Sequence, residues 1–154
     1  MKQPSTLVLR ITIVLIGMLI LAICVVGIPI TIGSFRFGGY DPILLGLYIP
    51  AIPFFIALYQ AMKILSCIES KRAFSLSSIH AFRAIKYCAL TISGLFAAGM
   101  PYIFYVANMD DAPGVVAIAL VIIFSSLVIC AFASVMQKLV QYAVEIKSEN
   151  DLTV

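Results

Sequence analysis

Charged residues are scarce in this sequence, and their scarcity excludes a soluble protein. Of the 154 residues, 11% are charged and 63% are hydrophobic, and the mean hydropathy is +1.14. A typical soluble domain has about 25% charged and about 45–50% apolar residues. A soluble core could not enclose this much apolar surface, so we expect the lipid bilayer to be the solvent. The net charge of +3 forms no basic footprint, so no direct nucleic-acid binding is expected.

Side chains that could carry catalysis or bind metal are also few. His80 is the only histidine, which excludes a histidine cluster or an HExxH zinc motif within one chain. The four cysteines, Cys24, Cys67, Cys88 and Cys130, form no CxxC pair, so we interpret them as reduced thiols that pack like small apolar side chains. No glycine-rich phosphate loop is visible. The sequence therefore predicts a protein that is not an enzyme and binds no cofactor or metal.

What the sequence does contain is four long apolar segments. They predict membrane-spanning helices at about residues 11–32, 43–63, 85–108 and 114–136. The first segment, of about 22 residues, would form a helix of about 33 Å and match a hydrocarbon core of about 30 Å. We expect a retained first helix rather than a signal peptide, whose apolar region would cover only about 7–15 residues and end in a small-residue cleavage site, because this segment is longer and lacks a clean A-x-A sequence. No charged residue lies deep within a segment, which disfavours a proton-coupled carrier.

The positions of the basic residues predict the orientation. If both termini and a loop at residues 66–84 are cytoplasmic, nine of the ten lysines and arginines lie inside and only Arg36 lies outside. Such an excess of positive charge is typical of cytoplasmic loops. We therefore predict an all-α fold, an integral membrane four-helix bundle that forms one domain over residues 1–154. Both termini are predicted to be cytoplasmic, with a cytoplasmic tail at residues 137–154.

The last helix is predicted to continue beyond the membrane. Leu139, Tyr142, Ala143 and Ile146 lie on one helical face. This periodicity indicates an amphipathic stalk that reaches towards Lys147 before the chain ends in a polar, acidic sequence.

Prolines and small residues distinguish the second and third segments. Pro50, Pro53 and Pro101 each remove a helical N–H donor and free a carbonyl, which must find a partner inside hydrocarbon. A structural kink and a flexible, ligand-facing bend both fit these prolines. Small residues recur at four-residue spacing in 93–98 and permit close helix approach, so a homo-oligomer is a further hypothesis.

The middle loop and the tail hold most of the polar surface. Ser75 is the predicted N-cap of the third helix, and Phe74 is expected to pack on Ile79 as a hydrophobic staple. The basic residues nearby either attract anionic lipid, at about 1 kcal/mol each, or form a protein docking site. Glu149 and Asp151 could pair with the loop cations, although exposed ion pairs contribute only about 0–1 kcal/mol. The candidate partner or lipid contacts are Lys71, Arg72, Phe74, Ser75, Arg83, Lys86, Glu149, Asn150 and Asp151.

Parts of the same loop and tail resemble a known family. Residues 73–75 (AFS), 83–88 (RAIKYC) and 149–154 (ENDLTV) are similar to those of domain-of-unknown-function family 2975, the small four-helix bacterial membrane proteins. This chain departs from the family pattern at Leu76-Ser77-Ser78, where an acidic or amide residue commonly follows the Phe-Ser. The resemblance implies a bacterial inner membrane and no known activity. It also implies a frequent neighbour, a small helix-turn-helix regulator of the Cro/repressor type, as a partner for the cytoplasmic face.

These observations predict a non-enzymatic, multi-pass inner-membrane protein that regulates or anchors a cytoplasmic partner. The contact is expected to use residues 71–83 and 149–154. The alternative is a small transport or amphiphile-tolerance (antimicrobial-tolerance) protein built on the kinked second and third helices. A structural subunit of a larger membrane complex is a third hypothesis.

Overall fold

The computed structural model describes residues 4–34 and 41–153, which form helices joined by short turns. The elements are α1 (Pro4–Ala22), a π-helical segment (Ile23–Gly27), α2 (Ile28–Ser34), α3 (Asp41–Gly46), α4 (Tyr48–Glu69), α5 (Leu76–Met109) and α6 (Pro113–Leu152). Four stretches within these residues are long and apolar enough to cross a membrane: Pro4–Ile30, Asp41–Glu69, Leu76–Met109 and Pro113–Leu152. The predicted all-α membrane bundle with four spans is therefore confirmed. Arg36 lies outside the described residues.

The helices pack in the order α1, α4, α5, α6, each against the next. Because successive spans are antiparallel, the start of α1, the turn at residues 70–75 and the end of α6 lie at one end of the bundle. We call this the basic end. The other end, which holds the start of α3 and the turn at residues 110–112, is called the acidic end after Asp41, Asp110 and Asp111.

The pairing of α5 with α6 forms the longest interface of the bundle. The buried residues of α6 recur every seven positions and are mostly small: Ala119, Ser126, Ala133 and Val140. Small side chains let membrane helices approach closely, and a seven-residue period keeps one face turned towards a neighbouring helix. In α5, Ser93 is buried, whereas Gly94, Ala97 and Ala98 are exposed. The predicted small-residue spacings therefore do not all lie inside the monomer.

Both described turns between long helices end the preceding helix in the same way. Lys71 has φ 57° and Asp111 has φ 51°, the left-handed conformation that glycine usually supplies. The N–H of Arg72 donates to the carbonyl of Cys67 at 2.9 Å, and Lys71 donates to Ile68 at 3.1 Å. These are the two hydrogen bonds of a Schellman motif, which turns the chain sharply after α4.

Three contacts at seven-residue intervals attach the first span to α4. Tyr48 Oη donates a 2.7 Å hydrogen bond to the carbonyl oxygen of Cys24. Gly17 is buried, and a Cβ built there would lie 2.7 Å from Leu58 Cδ2. Near the basic end, Arg10 Nη1 lies 3.5 Å from Glu69 Oε2. Positions 10, 17 and 24 therefore form the contact line of an otherwise featureless apolar helix.

The proline predictions have different outcomes. Pro53 and Pro101 lie inside α4 and α5, as predicted. Pro50 does not interrupt a helix, because α3 ends at Gly46 and α4 begins at Tyr48 after Leu47. Pro50 thus falls in the first turn of α4, where no intrahelical N–H donor is needed.

Candidate functional site

The predicted contact residues of the middle loop lie at the basic end. Lys71 and Arg72 are exposed in the turn after α4. Ser75 is the N-cap of α5, as predicted, and its Oγ accepts a hydrogen bond from the Ser78 N–H at 3.4 Å. Phe74 is 59% exposed and Ile79 is buried, and the hydrophobic staple between them stays a prediction. An exposed aromatic ring thus lies two residues after the exposed cations.

The remaining predicted contacts lie on the two long helices. Arg83 is exposed on α5, and Lys86 Nζ lies 5.8 Å from the centre of the Tyr87 ring. On α6, Glu149, Asn150 and Asp151 are exposed in the final turns. Within residues 4–34 and 41–153, no salt bridge joins these acidic residues to the loop. The ion pair formed at this end is the one between Arg10 and Glu69.

Glu69 is a site residue that the sequence interpretation missed. Its side chain is only 17% exposed, and its Oε1 is buried without a hydrogen-bond partner. The sequence did contain a signal, since Glu69 is the single acidic residue among the basic residues from Lys63 to Arg72. By pairing with Arg10, it joins the first span to the base of the loop.

The end of α6 carries an apolar stripe on the side that faces away from α5. Val140 is buried and Ala143 is half-buried, whereas Leu139, Tyr142 and Ile146 are 53%, 62% and 67% exposed. The predicted stalk face is therefore divided, with Ala143 on the packed side and the three larger residues outside. We call Leu139, Tyr142 and Ile146 the α6 stripe.

A second candidate site lies towards the acidic end. A cavity of about 210 Å³ opens between the α3–α4 junction and the second half of α5. Its lining residues are Pro42, Ile43, Gly46, Leu47, Ile49, Pro50, Leu95, Phe96, Gly99, Tyr102 and Ile103. Apart from the Tyr102 hydroxyl, these side chains are apolar. Asp41 immediately precedes Pro42, and its Oδ1 is buried with no hydrogen-bond partner.

Neither site holds a recognisable catalytic or metal-binding arrangement. In the described parts of the chain, no three or more histidine, cysteine, aspartate or glutamate residues come together in a way that could hold a metal ion. The four cysteines are free thiols and half-buried. The basic end can bind through cations and apolar side chains, and the cavity can bind through apolar contact.

Comparison with known proteins identifies the family. The family described as a protein of unknown function (DUF2975) matches residues 38–154. The chain belongs to this family. It is also 49% identical, over 161 aligned positions that cover 100% of both chains, to the uncharacterised membrane protein YoaS of Bacillus subtilis (strain 168). No solved structure matches the chain.

The three segments that carry the resemblance, residues 73–75, 83–88 and 149–154, all lie within the matched region. The matches therefore confirm the resemblance. They also establish that this is a membrane protein of a family without an assigned function. The first span, Pro4–Ile30, precedes the region that the family matches. The full-length similarity to YoaS includes that span.

Proposed function

We propose that this protein resides in a bacterial cytoplasmic membrane with its basic end inside, where it anchors or regulates a cytoplasmic partner. The observation that carries the proposal is the length of the last two helices. α5 and α6 have 34 and 40 residues, or about 51 and 60 Å, whereas a hydrocarbon core measures about 30 Å. Because the predicted spans at residues 85–108 and 114–136 leave the excess length at the basic end, we infer that the paired helices project beyond the membrane there.

The projecting part presents a surface suited to a protein partner. The α6 stripe and Phe74 are large, apolar and exposed, and exposed apolar surface outside a membrane is typical of interaction sites. Lys71, Arg72 and Arg83 are exposed at the same end and supply complementary charge for an acidic rim. Aromatic and arginine side chains are also the groups that most often contribute large binding energies.

The partner class that the family resemblance implies is a small helix-turn-helix regulator. Binding of such a regulator at the basic end would hold it at the membrane and away from its DNA. The protein itself would act without catalysis, by occupancy of this surface.

The test measures binding of a helix-turn-helix regulator encoded beside the gene to the full-length protein in lipid nanodiscs. Leu139→Glu with Ile146→Glu places charges in the α6 stripe, and we expect affinity to fall at least about tenfold, as for removal of a central interface contact. Gln141→Glu, on an exposed position of the same helix, adds charge outside the stripe and should leave affinity unchanged. Equal binding by all three proteins would contradict the proposal.

A second candidate function has its own observation. The cavity near the acidic end lies where α3, α4 and α5 meet, and Pro50 is one of its lining residues. Its apolar lining supports transport of, or tolerance to, a membrane-active amphiphile. A deletion strain should then become more sensitive to such compounds, and reintroduction of the gene should restore tolerance.

A further inference from the structure

We propose that three lysines at the basic end form a binding site for anionic phospholipids. Lys63 of α4, Lys86 of α5 and Lys138 of α6 would bind lipid phosphate groups in the adjacent leaflet through charge-assisted hydrogen bonds. We call these three residues the lysine belt. The inference concerns lipid alone, so it is independent of whether a cytoplasmic partner binds the same end.

The three lysines lie at nearly the same level along the bundle. Antiparallel helices rise by about 1.5 Å per residue from the turn that joins them. Lys63 lies six residues before the end of α4 and Lys86 lies ten residues after the start of α5, so their levels differ by about 6 Å. Lys138 lies 25 residues after the start of α6, and Lys86 lies 23 residues before the end of α5, a difference of about 3 Å. Three helices therefore place a cation at one depth.

This depth coincides with the predicted boundary of the hydrocarbon core. The three apolar segments predicted in α4, α5 and α6 each reach the basic end within two residues of a belt lysine. Tyr59 and Tyr87 are 69% and 58% exposed and lie within about one helical turn of Lys63 and Lys86. Exposed tyrosines are typical of the membrane interface. Cations at this depth meet the phosphates of lipids before they meet anions dissolved in the cytoplasm.

The positive charge of the belt is not neutralised by the protein. Among the described residues, no salt bridge joins an acidic side chain to Lys63, Lys86 or Lys138. The first and last of these lysines are exposed, and Lys86 is half-buried with its Nζ 5.8 Å from the centre of the Tyr87 ring. Glu145 lies seven residues beyond Lys138 on α6, about 10 Å farther from the boundary. An anionic headgroup supplies the charge that is missing at this depth.

The experiment measures lipid selectivity by electron paramagnetic resonance of the full-length protein in phosphatidylcholine membranes. Spin-labelled phosphatidylglycerol, which is anionic, is compared with spin-labelled phosphatidylcholine at about 0.15 M salt, where the Debye length is about 8 Å. We expect phosphatidylglycerol to associate at least about fivefold more strongly. This fold-change corresponds to about 1 kcal/mol, the attraction of one basic residue near a membrane surface.

The test variant replaces the three belt lysines by glutamine. Arg83 lies at the same level and also belongs to the proposed partner surface, so it stays unchanged. The matched control removes three exposed cations beyond the belt: Lys71→Gln, Arg72→Gln and Lys147→Gln. The preference for phosphatidylglycerol should fall to about twofold or less in the test variant. It should be retained in the control, whose cations lie more than about one Debye length from the belt.

A third variant, with arginine in place of the three belt lysines, keeps the charge and should keep the preference. The restricted fraction of spin-labelled phosphatidylcholine should be the same for all four proteins, because their lipid-facing perimeter does not change. The proposal is overturned if wild type shows no preference for phosphatidylglycerol or if the glutamine variant of the belt retains it. Equal loss in the control would also overturn it, because net charge alone would then account for the selectivity.

Discussion

At the scale of single residues, Tyr48 compensates for a defect in the backbone of the first span. In the π-helical segment the N–H of Ile28 donates to the carbonyl of Ile23, five residues earlier instead of the four of an α-helix. The carbonyl of Cys24 would therefore need the N–H of residue 29. That residue, Pro29, has no N–H, and the carbonyl of Cys24 therefore lacks a helical donor. The Tyr48 hydroxyl supplies one at 2.7 Å. A phenol from α4 thus completes the hydrogen bonding of another helix.

Tyr48→Phe should therefore destabilise the protein by about 0.6 kcal/mol, the average for hydrogen bonds between membrane helices, and by at most about 1.7 kcal/mol. The measurement is unfolding of the purified protein in mixed micelles with increasing SDS. Tyr59→Phe is the matched control, because Tyr59 is largely exposed and should change stability little. If the two substitutions had equal effects, the Cys24 hydrogen bond would not contribute to stability.

Lys71 illustrates a different residue-scale effect, in which backbone conformation and charge can be separated. Its φ of 57° is unfavourable for a side chain with a Cβ, at about 1–2 kcal/mol, and glycine avoids this at an entropic cost of about 0.5–1 kcal/mol. Lys71→Gly should therefore stabilise the protein by up to about 1 kcal/mol relative to Lys71→Ala. Both variants lose the same charge, so the difference in SDS unfolding reports the turn alone. A less stable glycine variant would show that this residue does not limit the turn.

At the scale of elements, the α5–α6 pair depends on small residues in α6. Ala133 is 3% exposed, and a larger side chain there would force the two helices apart. Ala133→Leu should destabilise the protein by about 1–3 kcal/mol, as overpacking does in well-packed cores. Ala131→Leu, at an exposed position two residues away, is the control and should be nearly neutral in the same unfolding measurement. Equal effects would mean that α6 does not pack on α5 through Ala133.

The elements could be predicted from sequence to different degrees. The four spans followed from apolar length, and the start of α5 followed from Ser75, because both signals are local. The π-helical segment could not be predicted, since Pro29 at the end of an apolar run fits an ordinary helix end equally well. Likewise, the periodicity of α6 indicated an apolar face beyond the membrane. It could not show that Val140 packs on α5 while Leu139 stays exposed, since that depends on the rotation of the helix.

At the scale of the whole molecule, the sites combine residues that are distant in sequence. The ion pair of Arg10 with Glu69 and the contact of Gly17 with Leu58 join the first two spans, and nothing in the apolar sequence of α1 marks these partners. The cavity likewise needs residues of α3, α4 and α5. Composition predicted a membrane protein, and the apolar segments predicted the number of spans. Where binding can occur depends on tertiary packing.

The orientation of the molecule connects both sites to the cell and provides the last prediction. Native cysteines are replaced by serine, and single cysteines are then introduced at the exposed positions Asn108 and Ser148, one at each end of the bundle. Because basic segments are retained inside, a membrane-impermeant maleimide applied to intact cells should label Asn108→Cys and spare Ser148→Cys until the cells are permeabilised. The reverse pattern would place the α6 stripe outside and exclude a cytoplasmic regulator as its partner. It would also turn the acidic end and its cavity towards the cytoplasm.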